Sequence, residues 1–398
     1  MKDFFLKFKR VKVKDIIAIF IMLVAIPEAL YLKNKRKDLW LICERENEAR
    51  DNGYWLFKYI RENWPNEDVV YAINKNSEDY NKVKDLGEIV EYGTYKHWVY
   101  YLAANKNISS QKDGKPNGAL CYLLEVYGIL KNKRVFLQHG ITKDNAEWLY
   151  YKNTKMRLFI CGAKKEHEYL KKIYGYPEEY LQYTGLARFD GLHKLKIKKN
   201  QILVMPTWRV WLGIKELNKK GFDQNKPFKE TEYFKKWYEF LNDKEIIEKL
   251  EKNNLELIFY PHSNMQKYIN TFTTLSKNII IANQKIYDVQ DLLKESILLI
   301  TDYSSIFMDF AYMQKPMIYY QFDKEKYRMG QYVEGYFKYE RDGFGSVVEN
   351  IEKLKEKLFY YIDNDFKIEK EYLRREKEFF ELYDTENCKR NYLAIKSI

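Results

Sequence analysis

The sequence predicts an α/β protein made of two doubly wound halves facing a central cleft, with an apolar helix before them and a helical tail behind. Three observations lead there. After Asp38, short apolar runs alternate with stretches of helical spacing. The alternation restarts at Gln201, beyond a polar, basic stretch at residues 193–200 (HKLKIKKN). And 398 residues, 46% of them hydrophobic and 17% aromatic, suit two domains with a core each.

Residues 16–32 read IIAIFIMLVAIPEALYL. Lys2, Lys7, Lys9, Arg10, Lys12 and Lys14 precede this run, and Lys33, Lys35, Arg36 and Lys37 follow it. It falls short of the roughly 20 apolar residues that a membrane span needs, and it contains Pro27 and Glu28. A signal peptide would end on small residues, not on a second basic cluster. The expectation is a helix lying in an anionic membrane surface. A buried first helix and a single span are the other readings.

In the first half, strands are expected at residues 39–44 (LWLICE), 68–73, 107–110, 134–138, 158–161 and 181–184, with a helix at 49–63. In the second half, strands are expected at 201–208 (QILVMPTW), 255–260, 278–283, 296–301 and 316–320, with a helix at 229–253. Residues 351–398 read as helix. The expected division is a membrane-associating segment (1–37), a first Rossmann-like domain (38–195), a second (196–350) and C-terminal helices (351–398).

A net charge of +12 and a pI near 9.0 suit nucleic acid, an anionic membrane or phosphate-rich substrates. Tyr and Phe alternate within the expected strands and helices, as core residues do, which argues against nucleic acid. Cys43, Cys121, Cys161 and Cys388 form no CxxC pair, and no His lies at zinc-site spacing. They read as reduced, buried thiols of a cytosolic protein. The sequence carries no signal for oligomeric state.

In open α/β sheets, ligands bind beyond the carboxyl ends of the strands. No GxxxxGK[ST] loop, complete GxGxxG, HExxH or GxSxG occurs. The candidates are therefore polar residues at strand ends. In FLQHG, His139 follows an apolar strand on a tight turn between Gln138 and Gly140. An imidazole there can take a proton from a hydroxyl near neutral pH, although a hydrogen-bonded structural His would read the same. In MPTWR, Thr207 and Arg209 follow the first strand of the second half, and Arg209 has the donor geometry to grip phosphate. His262 in FYPHSN can donate to a diphosphate. In LLITDYSSIFMDF, the hydroxyls of Ser304 and Ser305 open a helix, and Asp309 lies one turn on. His97, His167 and His193 have no such setting, and residues 164–172 read as a solvated helix face. No carboxylate pair has convincing metal-ligand spacing, so no essential metal is expected.

Together HG, PTWR, PH and TDYSS-(x)3-D, in this order over two α/β halves, resemble the CDP-glycerol:poly(glycerophosphate) glycerophosphotransferase family. That family builds teichoic acids and related capsule polymers. The resemblance covers residues 39–323, and GLARFD (185–190) is similar to the family's Gly-x-x-Arg-x-Asp element. Many members carry Trp before the motif His and Thr-Pro after the Gly, where this chain has Gln138, Ile141 and Thr142.

The resemblance implies a GT-B-like fold and a peripheral enzyme on the cytoplasmic face of the membrane. The first half would take the acceptor, a polyol-phosphate polymer carried on lipid. The second would take CDP-glycerol as donor substrate, with no further cofactor. His139 would be the general base. Arg209, His262, Ser304 and Ser305 would hold the diphosphate, with Gln138, Gly140, Thr207, Arg188 and Asp309 as further cleft residues. A CDP-ribitol enzyme of the same family and a GT-B nucleotide-sugar glycosyltransferase stay open as alternatives.

Overall fold

A computed structural model describes residues 12–194, 197–198, 200–212 and 227–398. Most of the leading basic cluster (Lys2, Lys7, Lys9 and Arg10) lies outside them. The chain forms two compact units. The first comprises residues 1–141, 147–191 and 384–398, and the second 142–146 and 192–383.

The first unit is built on a seven-stranded sheet in the order β3-β2-β1-β4-β5-β6-β7. Its strands are β1 (Trp40–Cys43), β2 (Val69–Ile73), β3 (Glu88–Glu91), β4 (Lys106–Ser109), β5 (Lys133–Phe136), β6 (Leu158–Cys161) and β7 (Leu181–Tyr183). All pairings are parallel. Strands buried on both faces must be apolar throughout, and VVYAI and LFIC are buried at every position. The sheet edge β3 was not expected from sequence. Its EIVE is short and only its Val is fully buried, so it lacks the apolar run that marks a central strand.

The second unit has a six-stranded parallel sheet in the order β10-β9-β8-β11-β12-β13. Its strands are β8 (Gln201–Met205), β9 (Glu256–Phe259), β10 (Ile279–Ile281), β11 (Leu298–Thr301), β12 (Met317–Tyr320) and β13 (Gly345–Val348). The first six strands of each unit thus follow the doubly wound order 3-2-1-4-5-6. The order reverses between β1 and β4 in one unit and between β8 and β11 in the other. Each point lies at the carboxyl ends of its own sheet, where ligands of such sheets bind.

Helices relevant to the sites are α1 (Val13–Lys35), α2 (Asn52–Asn63), α3 (Tyr95–Ala103), α4 (Glu232–Leu241), α5 (Phe307–Tyr312), α6 (Ile351–Asp363), α7 (Lys370–Phe379) and α8 (Asn387–Lys396). The helix expected at 229–253 is two helices, because Asp243 breaks off α4 and caps the next by accepting from the Ile246 N–H at 3.0 Å. In the second core, Trp237 and Phe240 of α4 pack among Ile202, Val204, Phe259 and Ile300. The tail is not one layer: α6 and α7 belong to the second unit, while α8 returns to the first. There Tyr392 stacks on Trp64 with ring centroids 5.1 Å apart. The unit boundary near the 193–200 stretch falls at Gly191 and Leu192.

The first helix is longer than expected and carries Pro27 inside it. Ala18, Ala25 and Ala29 form its buried stripe, and it packs along α3. Its opposite face exposes Val13, Ile17, Phe20, Val24 and Tyr31. At about 1.5 Å per residue, its 23 residues match a bilayer core of roughly 30 Å. All four cysteines are free and buried.

Candidate active site

In the first unit, polar side chains from β1, β4, β5 and α2 converge at the reversal of strand order. Two residues beyond β5 stands Gln138, whose φ of 63° is rarely adopted by non-glycine residues. That turn throws His139 outward, leaving its side chain 60% exposed. Everything beneath it is buried. His139 Nδ1 lies 2.5 Å from Asp51 Oδ2 and 2.7 Å from the Gln111 amide. The other Asp51 oxygen, Oδ1, accepts from Arg188 at 2.8 Å, and the same guanidinium nitrogen reaches the His139 carbonyl at 2.9 Å. Burial pushes the Asp51 carboxyl up, but His139 and Arg188 outweigh it and hold it below its usual value.

Below Asp51 lies Glu44, fully buried and accepting from the N–H groups of Arg50, Asp51 and Tyr54. Burial and the Asp51 charge push it up to about 7, against those three bonds. Asn52 N–H is taken by Asp51 and Gly53 N–H by Ser110. The first-turn donors of α2 are thus saturated by protein, so this helix start offers none of them to a phosphate.

Sequence reasoning placed His139 and Arg188 here but missed Asp51, Glu44 and Gln111. The available signal was Asp51-Asn52-Gly53, an N-cap placed where β1 hands over to α2. Gln138 departs from its expected role. Its side chain points inward, donating to the Ile160 carbonyl at 2.6 Å and to Glu166 at 3.0 Å, and its strained turn is what positions His139. In GLARFD, Gly185 (φ +77°) and Asp190 anchor α8: Asp190 accepts from the N–H groups of Asn387 and Cys388. Arg188 reaches the histidine.

In the second unit the candidates stand at the ends of β8, β9 and β11. His262 follows β9 half-buried, and its Nδ1 accepts from the Asn264 N–H at 3.1 Å. In the neutral ring the proton therefore sits on Nε2, a donor. Trp208 stacks on it with centroids 6.1 Å apart. Ser304 is half-buried and Ser305 exposed, directly beyond β11.

Arg209 does not fit the expected grip on phosphate. It is 0% exposed, bonded to Asp323 at 2.7 Å and paired with Asp302 at 2.9 Å. Burial would lower its pKa, but the two carboxylates outweigh that and keep it charged. Asp302 Oδ1 in turn accepts from the N–H groups of Thr207 and Tyr303. Arg209 is thus a buried pin that fixes the turns after β8, β11 and β12, including the one carrying both serines. Thr207 and Asp309 are buried too, so neither presents an open polar face. Of the remaining histidines, His97 is buried and held neutral, its pKa lowered to about 3, and His193 bonds to the Tyr312 hydroxyl. Among the described residues, no group of three or more His, Cys, Asp or Glu side chains could hold a metal ion.

Residues 25–396 match the family model of CDP-Glycerol:Poly(glycerophosphate) glycerophosphotransferase. The chain belongs to this family. It is 34% identical over 365 residues to the minor teichoic acid biosynthesis protein GgaB of Bacillus subtilis (strain 168), covering 90% of this chain and 40% of that protein. It is 24% identical over 334 residues to the teichoic acid poly(glycerol phosphate) polymerase of Bacillus spizizenii (strain ATCC 23059 / NRRL B-14472 / W23), covering 76% of this chain and 78% of that one. The solved wall teichoic acid polymerase TagF matches over 96% of this chain and 94% of its own, with a TM-score of 0.68 at 16% identity. This likeness establishes the shared GT-B-like fold. The chain spans less than half the length of GgaB.

Proposed function

We propose that the protein transfers glycerol phosphate from CDP-glycerol to a hydroxyl of a growing teichoic-acid-like polymer and releases CMP. The acceptor oxygen bonds to the β-phosphorus, the bond from that phosphorus to the CMP oxygen breaks, and its electron pair leaves with CMP. His139 takes the hydroxyl proton. The observation that carries this reading is His139 itself, an exposed imidazole on a bed of buried polar groups at a topological switch point. His262 Nε2–H and the hydroxyls of Ser304 and Ser305 are the donors suited to the diphosphate. Fixed donors aimed at developing charge are worth a few kcal/mol each. Family membership and the poly(glycerol phosphate) polymerase relative favour glycerol over a sugar donor.

The same reading places the enzyme at the cytoplasmic face of the membrane, where a lipid-linked acceptor would be presented. The apolar outer face of α1 supports it, with Lys12, Lys14, Lys33 and Lys35 at the helix ends to meet anionic headgroups. Co-sedimentation with phosphatidylglycerol vesicles, lost on Phe20→Glu, is the expected result. Equal sedimentation of the variant would remove α1 as the anchor.

A donor panel tests the chemistry. Purified protein is given CDP-glycerol, CDP-ribitol or UDP-sugars with a short glycerol-phosphate acceptor, and nucleotide release is followed. CMP from CDP-glycerol is expected. Turnover of only CDP-ribitol or a UDP-sugar would overturn the donor assignment.

A further inference from the structure

We propose that Asp51 is the positioning residue for the reaction, holding the His139 imidazole as its Nδ1–H tautomer with Nε2 turned outward as the base. This rests on the role given above to His139.

The geometry leaves the ring little choice. The carboxylate at 2.5 Å can only accept, so Nδ1 carries the proton. The Gln111 amide nitrogen, 2.7 Å from the same Nδ1, also donates to Asp51 Oδ2 at 3.3 Å, so the amide and the ring N–H both serve that carboxylate oxygen. Nε2 is left unprotonated in the neutral ring. When it takes the hydroxyl proton, the imidazolium charge forms 2.5 Å from a buried carboxylate, and the proton can pass to water because the ring is exposed.

Asp51 is itself immobilised. Arg188 ties its second oxygen and the His139 carbonyl with one nitrogen. Asn52 bridges the same three elements: its amide nitrogen donates to the Gln138 carbonyl at 2.8 Å, and its oxygen accepts from the Arg188 N–H at 3.0 Å. Glu44 holds the backbone from below through three N–H groups. A side chain at Gly53 would meet the Glu44 carboxylate at 2.9 Å, so the glycine lets that carboxylate close under the helix. The ring, the carboxylate and the turn are thus set by one connected polar network. The charged groups facing Asp51 are His139 and Arg188, with Glu44 behind.

The test reads the ring directly. Nitrogen-15 NMR of the imidazole is recorded for the wild type, Asp51→Asn and Asp51→Glu, together with pH profiles of kcat and kcat/KM. Nδ1–H is expected in the wild type and a mixed tautomer in Asp51→Asn. The kcat of that variant should fall about 100-fold or more with KM little changed. The acidic limb of its kcat/KM profile should move to lower pH, because the imidazolium has lost its counter-charge. Asp51→Glu should recover part of the rate. If Asp51→Asn does not fold, Asp51→Ser keeps a helix-capping oxygen while removing the carboxylate. A wild-type tautomer and an unmoved pH limb in the folded variant would overturn the proposal. The NMR arm needs no donor, so a protein that shows the tautomer change yet turns over no CDP-polyol would sink the proposed function and leave the positioning role standing.

Discussion

Replacing Glu376 with glutamine should stabilise the second unit, increasingly so as the pH rises. Glu376 lies on α7 at 1% exposure, and neither carboxyl oxygen has a hydrogen-bond partner. Burial alone pushes its pKa from 4.5 up to about 10. The folded state thus keeps the proton while the unfolded chain releases it. The stabilisation this gives is complete below about pH 4.5 and is lost as the pH rises toward 10. By linkage the loss is on the order of 1 kcal/mol at pH 5 and about 5 kcal/mol at pH 8. Glutamine has similar volume and no proton to lose, so it escapes this dependence. Urea unfolding of wild type and Glu376→Gln at pH 5, 6.5 and 8 should give curves that nearly coincide at pH 5 and separate by several kcal/mol at pH 8. A difference independent of pH, or a variant less stable throughout, would show that the carboxyl is solvated or paired in solution.

Three further outcomes follow from the packing. Arg209→Ala should cost about 3–5 kcal/mol in the unfolding of the second unit, because Asp302 and Asp323 lose their shared counter-charge; a near-neutral change would mean that the pin is dispensable. His262→Ala should lower kcat about 100-fold with little loss of thermal stability, since the ring is only half-buried and its proposed role is to hold the diphosphate; unchanged kinetics would remove it from the site. Gly185→Ala should destabilise the first unit by about 2–4 kcal/mol in denaturant melts, because its φ is +77° and a Cβ would stand 1.8 Å from the Asn387 side-chain oxygen; a neutral effect would mean that α8 docks less tightly than this.

The sheets were legible because central parallel strands are continuous apolar runs, which LFIC and LLIT are. Two of the four edge strands, β3 and β13, were not. EIVE at β3 and GSVV at β13 are short and mixed in polarity, and their pairing depends on neighbours far along the chain. The same divide runs through the site. His139 could be read from a strand end and a glycine, both local. Its partners Asp51 and Arg188 lie 88 and 49 residues away in sequence, joined only by the winding of the sheet. Arg209 and Gln138 were misjudged for the converse reason. Their types and positions suit a ligand, but burial is a tertiary property, and it turned one into a pin and the other into the support of a turn. The tail divided because α8 carries Asn387 and Asn391, which bond to Asp190 and Gly185 of the first unit.

The most direct test of glycerol-phosphate transfer with His139 as base is to follow CMP release and acceptor mass together, using CDP-glycerol and a short glycerol-phosphate acceptor, for wild type and His139→Ala. The expected result is CMP released in step with acceptor growth by glycerol-phosphate units, both lost in the variant while its fold and thermal stability persist. Acceptor growth that continues at the wild-type rate in His139→Ala would contradict it.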